Sequence, residues 1–145
     1  MSTSTYSFLD VSGFINHPVL GPYTFTGQGV GEITVSMDVD RTVHDVAADG
    51  SVMVSKVAGN PGRITINVQQ TSDLYKWLIR AYNLSIIGNT SIWAGLSVLI
   101  RSVTDATSHT CTGVSFNKLP DKTYAASGGK VSFVLPAADI LTIPA

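Results

Sequence analysis

Between Gly31 and Gln69 two stretches alternate strictly between polar and apolar side chains, and this constrains the fold more than anything else in the chain. Glu32, Thr34, Ser36, Asp38 and Asp40 fall on one face of an extended strand, and Ile33, Val35, Met37 and Val39 on the other. Arg63, Thr65, Asn67 and Gln69 repeat the arrangement against Ile64, Ile66 and Val68. A helix would scatter these groups around its circumference, whereas an antiparallel sheet turns one face to a core and the other to water. The segment between them, Arg41 to Ser51, has few apolar anchors beyond Val43 and Val46 and a turn at Asp49-Gly50. It reads as a loop, long for a hairpin connection and therefore available to a partner. Its candidate contact residues are Arg41, Val43, His44, Asp45, Val46, Asp49 and Gly50.

At 145 residues the chain predicts one domain with a core large enough to need no disulfide or metal. Charged residues make up 13% and acids outnumber bases by one, so the basic footprint of a phosphate-backbone binder is missing. So few charges with a positive mean hydropathy make a sticky exterior, which suggests surface covered by other subunits. The single cysteine, Cys111, excludes an intramolecular disulfide and a cysteine metal cluster, which fits synthesis in a reducing cytoplasm. The N-terminal residues lack the basic and apolar regions of a secretion signal, and no apolar run is long enough to span a bilayer. Asn83-Leu84-Ser85 and Asn89-Thr90-Ser91 are then chance glycosylation sequons.

Along the chain, Thr5 to Val11 reads as a first strand or an extended arm, the arm covering about residues 1–12. Phe14 to Phe25, with Pro18, Gly21 and Pro22, reads as irregular or an edge strand, and Val52 to Val57 as a strand turning through Gly59-Asn60-Pro61-Gly62. Ser72 is the predicted N-cap of one helix, with Leu74, Trp77, Leu78, Ala81 and Tyr82 forming its apolar stripe. Ile92 to Val103 is apolar on nearly both faces and predicts a central strand covered on both sides. Thr110 to Phe116 and Lys130 to Leu135 complete the strands, and about 136–145 trails off as a C-terminal arm. The fold class is mainly β: an antiparallel β-sandwich or half-barrel with one flanking α-helix.

The residues offer little to catalysis. His17, His44 and His109 stand in no metal-ligand spacing and beside no nucleophile signature, and Cys111 between two threonines of a strand reads as a small buried hydrophobe. Gly27-Gln28-Gly29-Val30-Gly31 leads into a strand, whereas a phosphate loop must open a helix. Asp38, Asp40, Asp45 and Asp49 lack the closing glutamate of a calcium loop, and Glu32 is the only glutamate, so no glutamate pair can serve as acid and base. No enzyme, no cofactor and no metal site is predicted.

Four segments, taken in order, carry a resemblance: Tyr6-Ser-Phe-Leu-Asp-Val11, Asp49-Gly50-Ser-Val-Met-Val54, Gln70-Thr-Ser-Asp-Leu74 and His109-Thr-Cys-Thr-Gly-Val-Ser-Phe-Asn-Lys-Leu-Pro120. Through them the chain resembles, over nearly its whole length, the tail-tube proteins of contractile-tailed bacteriophages and related prophages. The resemblance implies a structural subunit that forms stacked hexameric rings, with a polar, weakly acidic lumen that conducts DNA during ejection. Glu32, Thr34, Ser36, Asp38, Asp40, Arg63, Thr65, Asn67 and Gln69 are the lumen-lining candidates. Arg63 is the discordant member, expected to pair with Asp38 or Asp40 across a subunit boundary. Alternation alone does not separate a lumen from an exterior. The implied partners are further copies of the chain, tail sheath, baseplate hub and tape-measure proteins. DNA is met only in transit, without sequence-specific binding, and no membrane is entered. The implied location is the virion tail, assembled in the bacterial cytoplasm. The alternatives are the tube of a phage-derived injector or secretion system, and a carbohydrate-binding β-sandwich with Tyr6, Tyr23, Trp93 and Tyr124 as an aromatic platform.

Overall fold

A computed structural model describes residues 3–27 and 29–144. Met1, Ser2 and Ala145 of the expected arms, and Gln28 of the glycine-rich bend, lie outside the described residues. Ser7 opens a 3₁₀ turn, Phe8–Asp10, with its hydroxyl accepting from the Leu9 amide. That turn displaces the first strand from the expected Thr5 to Val11 to β1, Val11–His17. There follow β2 (Gly21–Phe25), β3 (Val30–Met37), β4 (Thr42–Val46), β5 (Val52–Lys56), β6 (Gly62–Gln69), α1 (Asp73–Ile87), the short α2 (Thr90–Trp93), β7 (Leu96–Ser102), β8 (Thr107–Val114) and β9 (Lys130–Pro144).

Seven strands form one antiparallel, half-barrel sheet in the order β2-β1-β7-β8-β9-β6-β3, and β4 and β5 pair only with each other. The segment expected to be irregular or an edge strand, Phe14 to Phe25, forms a tight hairpin whose second strand, β2, is an edge strand, and Pro22 sits on it where a missing N–H costs least. Gly13 of β1 lies directly under the Phe25 ring, where a Cβ would meet the ring at 2.1 Å.

The long final strand joins the two halves of the sheet. Lys130 to Ala137 pair with β6, and Ala137 to Pro144 pair with β8. Pro136, lacking a donor, stands just before this handover, and its carbonyl accepts from Ser115 at 3.0 Å. The tail expected as an arm over 136–145 is therefore strand through Pro144. Beyond Ala137 the inward alternation slips by one residue, so Ile140 is buried and Asp139, Leu141 and Ile143 face out. Gly113, at φ +62°, faces Ala138 at this slip, where a Cβ would lie 2.7 Å from the alanine Cβ.

Helix α1 closes the concave face. The Ser72 hydroxyl accepts from the Tyr75 amide at 3.2 Å, as its N-cap position predicts, and Leu74, Trp77, Leu78, Ala81 and Ser85 are buried. Trp77 packs on Tyr23 with centroids 5.4 Å apart, Tyr75 on Phe133 at 6.1 Å, and Tyr82 edge-on to Phe116 at 5.6 Å. Beneath them Ile15, Ile64, Ile66, Val98, Cys111, Phe133 and Leu135 form one continuous core.

Candidate functional site

The face of the sheet opposite α1 is where the alternating residues point. Glu32, Asn67 and Ser132 stand in one cross-strand row over β3, β6 and β9, with Thr34, Thr65 and Val134 in the next and Ser36, Arg63 and Pro136 in the third. Asn67 Nδ2 donates to Glu32 Oε2 at 3.5 Å, Thr34 Oγ1 donates to Glu32 Oε1 at 3.4 Å, and the Ser132 hydroxyl donates to Asn67 Oδ1. The sheet pins these side chains to one another, so the wall is a hydrogen-bonded polar surface.

Its charges oppose one another. Arg63 Nε donates to Asp38 Oδ1 at 3.0 Å, an ion pair within one chain and not across a subunit boundary as the sequence suggested. Lys130 extends over Gly31 at the rim, close beside Glu32 in sequence. Sequence reasoning missed Lys130 and Ser132 because the strand pairing that brings β9 beside β6 is set by tertiary contacts. Asp40 lies beyond β3, where the chain leaves the sheet, and is not part of the rows. Gln69 ends β6 at the same rim as Lys130, with which it pairs, and lines a groove with Thr71 and Gly129.

The other half of this same face is mixed, with Ser12, Asn16, Ser97, Arg101, Ser108 and Thr112 around one short apolar row. Phe14, Leu99 and Leu141 stand in one row across β1, β7 and β9, with Thr110 of β8 between the last two, and Ile143 follows beside Ser108. All four apolar side chains are exposed. The sequence reading that β7 is covered on both sides is therefore corrected: its inward residues Leu96, Val98 and Ile100 are buried, and Leu99 faces out. A strand facing a core on one side and a sticky surface on the other has the same residue pattern as a fully covered one.

The predicted loop Arg41 to Ser51 is also corrected. It contains β4 and the turn of a projecting β-hairpin. Asp49 Oδ1 accepts from the Ser51 amide at 2.9 Å and from its hydroxyl at 2.6 Å, which holds the Asp49 carboxyl below its usual pKa. Gly50 at φ +89° completes the turn. Arg41 lies at the root, donating to the Val57 carbonyl at 2.9 Å and to the Asn60 side chain. His44, Val46, Val52 and Val54 share one face of the hairpin; Val43, Asp45 and Met53 share the other. Every residue from Ser36 to Lys56 is exposed, with Val46 at 66% and Val54 at 62%.

The groups that could have carried chemistry lie apart. His17 is buried, His44 is on the hairpin, and the His109 Nδ1 meets the Thr142 hydroxyl at 2.8 Å. Burial, with the Asp139 carboxylate adding to it, pushes the Cys111 thiol up to about 11, which makes it a poor nucleophile. Among the described residues no cluster of His, Cys, Asp or Glu could hold a metal ion. No helix among them is long and apolar enough to cross a membrane. The four aromatics of a sugar platform are not gathered: Tyr23 packs on Trp77, while Tyr124 stands over Lys122 on the 117–129 segment.

An exposed apolar row on the sheet, two open sheet edges and an exposed hairpin describe a subunit suited to self-contact, and comparison with known proteins says of which kind. The sequence profile of the bacteriophage PhiTE tail tube protein matches residues 3–143. The chain belongs to that tail tube family. No curated protein matches it by sequence. Among solved structures, this tail tube chain is similar to one in the sheath-tube complex of an extracellular contractile injection system, PVC, in its extended state. That match has a TM-score of 0.61 at 10% identity, covering 97% of this chain and 93% of the other. A chain of the anti-feeding prophage baseplate gives 0.62 at 12% identity, covering 99% and 98%. One from the tube-terminating cap of the same prophage gives 0.58 at 11%, covering 100% and 94%. At these identities the likeness is one of fold.

Proposed function

We propose that this tail tube chain builds stacked hexameric rings of a contractile tail, with the Glu32–Asn67–Ser132 half of the sheet lining a channel that conducts DNA and catalyses nothing. The hydrogen-bonded polar rows of β3, β6 and β9, with an exposed apolar row elsewhere on the same face, carry the reading. Water must reach the polar rows, and something must cover Phe14, Leu99, Leu141 and Ile143. In a ring, neighbouring copies cover that apolar row and engage edge strands β2 and β3, while the polar rows face the lumen. A wall of hydroxyls and amides with opposed charges offers passing phosphates no net cationic grip. Arg63 is held by Asp38, and the Glu32 carboxylate accepts from Thr34 and Asn67. On this reading the chain is part of the virion tail, assembled in the host cytoplasm, with sheath, baseplate hub and tape-measure proteins as its other partners. The structural neighbours come from injection particles, which supports a second reading, an injector tube of the same architecture with a different cargo.

The hairpin supplies the contact between rings. A two-stranded ribbon is marginal in water alone, and this one rests on nothing in its own subunit. Replacing Val46 and Val54 by aspartate leaves the subunit's melting temperature nearly unchanged, because both residues are exposed. Each valine buried on stacking contributes about 1.5–3 kcal/mol, so losing both raises the polymerisation threshold by roughly 100-fold or more. Sedimentation of the double variant against the wild type measures this. Tubes forming at the wild-type threshold would refute the stacking role.

A further inference from the structure

His17 is a titratable residue that nothing in tube assembly uses, and it is only 1% exposed. It ends β1, and the turn 18–20 leads from it into edge strand β2. Its Nδ1 is 3.1 Å from both the Val19 and the Leu20 amide nitrogens. Its Nε2 is 2.9 Å from the Ser85 hydroxyl oxygen on α1. Backbone amides can only donate, so Nδ1 must present its lone pair, and the ring proton must sit on Nε2, directed at Ser85. One imidazole thus holds the turn closed with one nitrogen and fastens it to α1 with the other.

We infer that His17 is a latch that closes only when neutral, so that acidification opens the β1–β2 turn and loosens edge strand β2. A proton added to Nδ1 would face two amide N–H groups, all three of them donors, and the turn would have to release both amides. Among the described residues strand β2 has no other strand partner than β1, and it joins the turn at Gly21, which pairs with His17 itself. The change therefore reaches a sheet edge. Burial favours the neutral form and holds the group below its ordinary value of 6.5, and the Ala81 carbonyl on α1 pulls it up only in part.

Among the described residues no charged side chain is paired with His17. Arg101 of β7 pairs opposite Ser12, at the far end of β1. Tyr23 of β2 is turned onto Trp77. The charged residues of α1, Asp73, Lys76 and Arg80, are exposed, its Tyr75 and Tyr82 face Phe133 and Phe116, and among the described residues none of the five bonds to His17.

The sign follows from the depressed value. Above about pH 6.5 the ring is neutral in both folded and unfolded chains, and the latch contributes fully. Between 6.5 and the lower folded value only the unfolded chain takes up the proton, so stability falls as the pH falls, by up to about tenfold in the unfolding constant per pH unit. Mass-spectrometric exchange of the imidazole C2 hydrogens, read for each histidine of the full chain, gives the titration directly, and His17 is expected to titrate below 6.5. Protection of the Val19 and Leu20 amides, corrected for intrinsic rate, should drop over the same range. His17→Asn keeps an acceptor for the turn but cannot titrate, so its stability should be flatter with pH than that of the wild type between 7 and 5. Titration of His17 at or above 6.5, amide protection that ignores pH, or an equal pH slope in His17→Asn would each overturn the latch. If the variant does not fold, the wild-type exchange measurements decide.

Discussion

Replacing Trp77 with alanine is expected to cost about 3–5 kcal/mol, the range for deleting a buried tryptophan and leaving a cavity. The indole is 7% exposed, lies in the stripe by which α1 covers the sheet, and packs on the ring of Tyr23. A domain of this size is stabilised by only about 5–15 kcal/mol in total. The variant should therefore melt roughly 10–20 °C lower, taking about 3–4 °C per kcal/mol, and a large share should be unfolded at physiological temperature. Loss of tubes in this variant would follow from loss of the fold. Calorimetry at one fixed protein concentration checks it, since assembly makes the melting temperature concentration-dependent. An unchanged melting temperature would mean that the stripe does not face the core.

Lysine at Thr34 and Asn67 should have the opposite character: little effect on the fold and a large one on transit. Thr34 is exposed and Asn67 half-exposed on β3 and β6, in the polar rows of the wall. Two added cations per subunit, repeated around every ring and along every stack, would give DNA a continuous series of phosphate contacts. With on the order of ten phosphates engaged, retention of DNA should weaken about 10³–10⁵-fold between 50 and 200 mM salt. Particles carrying both substitutions should form normal tails and deliver their genomes poorly. Normal delivery from normal tubes would place these residues outside the channel, and failure to assemble would place them at a subunit contact.

The parts of this architecture legible in the sequence are those where one element's pattern decides its environment. Ile64, Ile66 and Val68 against Thr65, Asn67 and Gln69 can only be a strand with one wet face, and Ser72 before Leu74, Trp77 and Leu78 can only begin an amphipathic helix. Elements whose environment depends on something absent from the subunit were not legible. Val43 and Val46 lie in a strand without a core beneath it, so the β4 half of the hairpin has the composition of a loop, although its partner over Val52 to Lys56 was legible as a strand. Leu99 and Phe14 face outward although apolar, which made β7 look covered on both sides. Pro136 reads as a stop, yet β9 runs on because its partner changes from β6 to β8 just after it. That Glu32, Thr34, Ser36, Thr65 and Asn67 share one sheet face was legible for the same reason as the strands. Lys130, Ser132 and the Arg63–Asp38 pair needed the register between strands, which a single chain's periodicity does not encode.

On the proposed function, the Glu32–Asn67–Ser132 rows face an enclosed channel and the Phe14–Leu99–Leu141 row faces other copies. Electron cryomicroscopy of tubes assembled from the purified chain tests it most directly, at a resolution that traces the strands. The expected result is hollow tubes of uniform width with Glu32, Thr34 and Asn67 on the inner wall, α1 outside, and the hairpin of each subunit seated on the adjacent ring. Tubes with α1 lining the channel, or a chain that stays monomeric at every concentration with Phe14, Leu99 and Leu141 exposed, would contradict it.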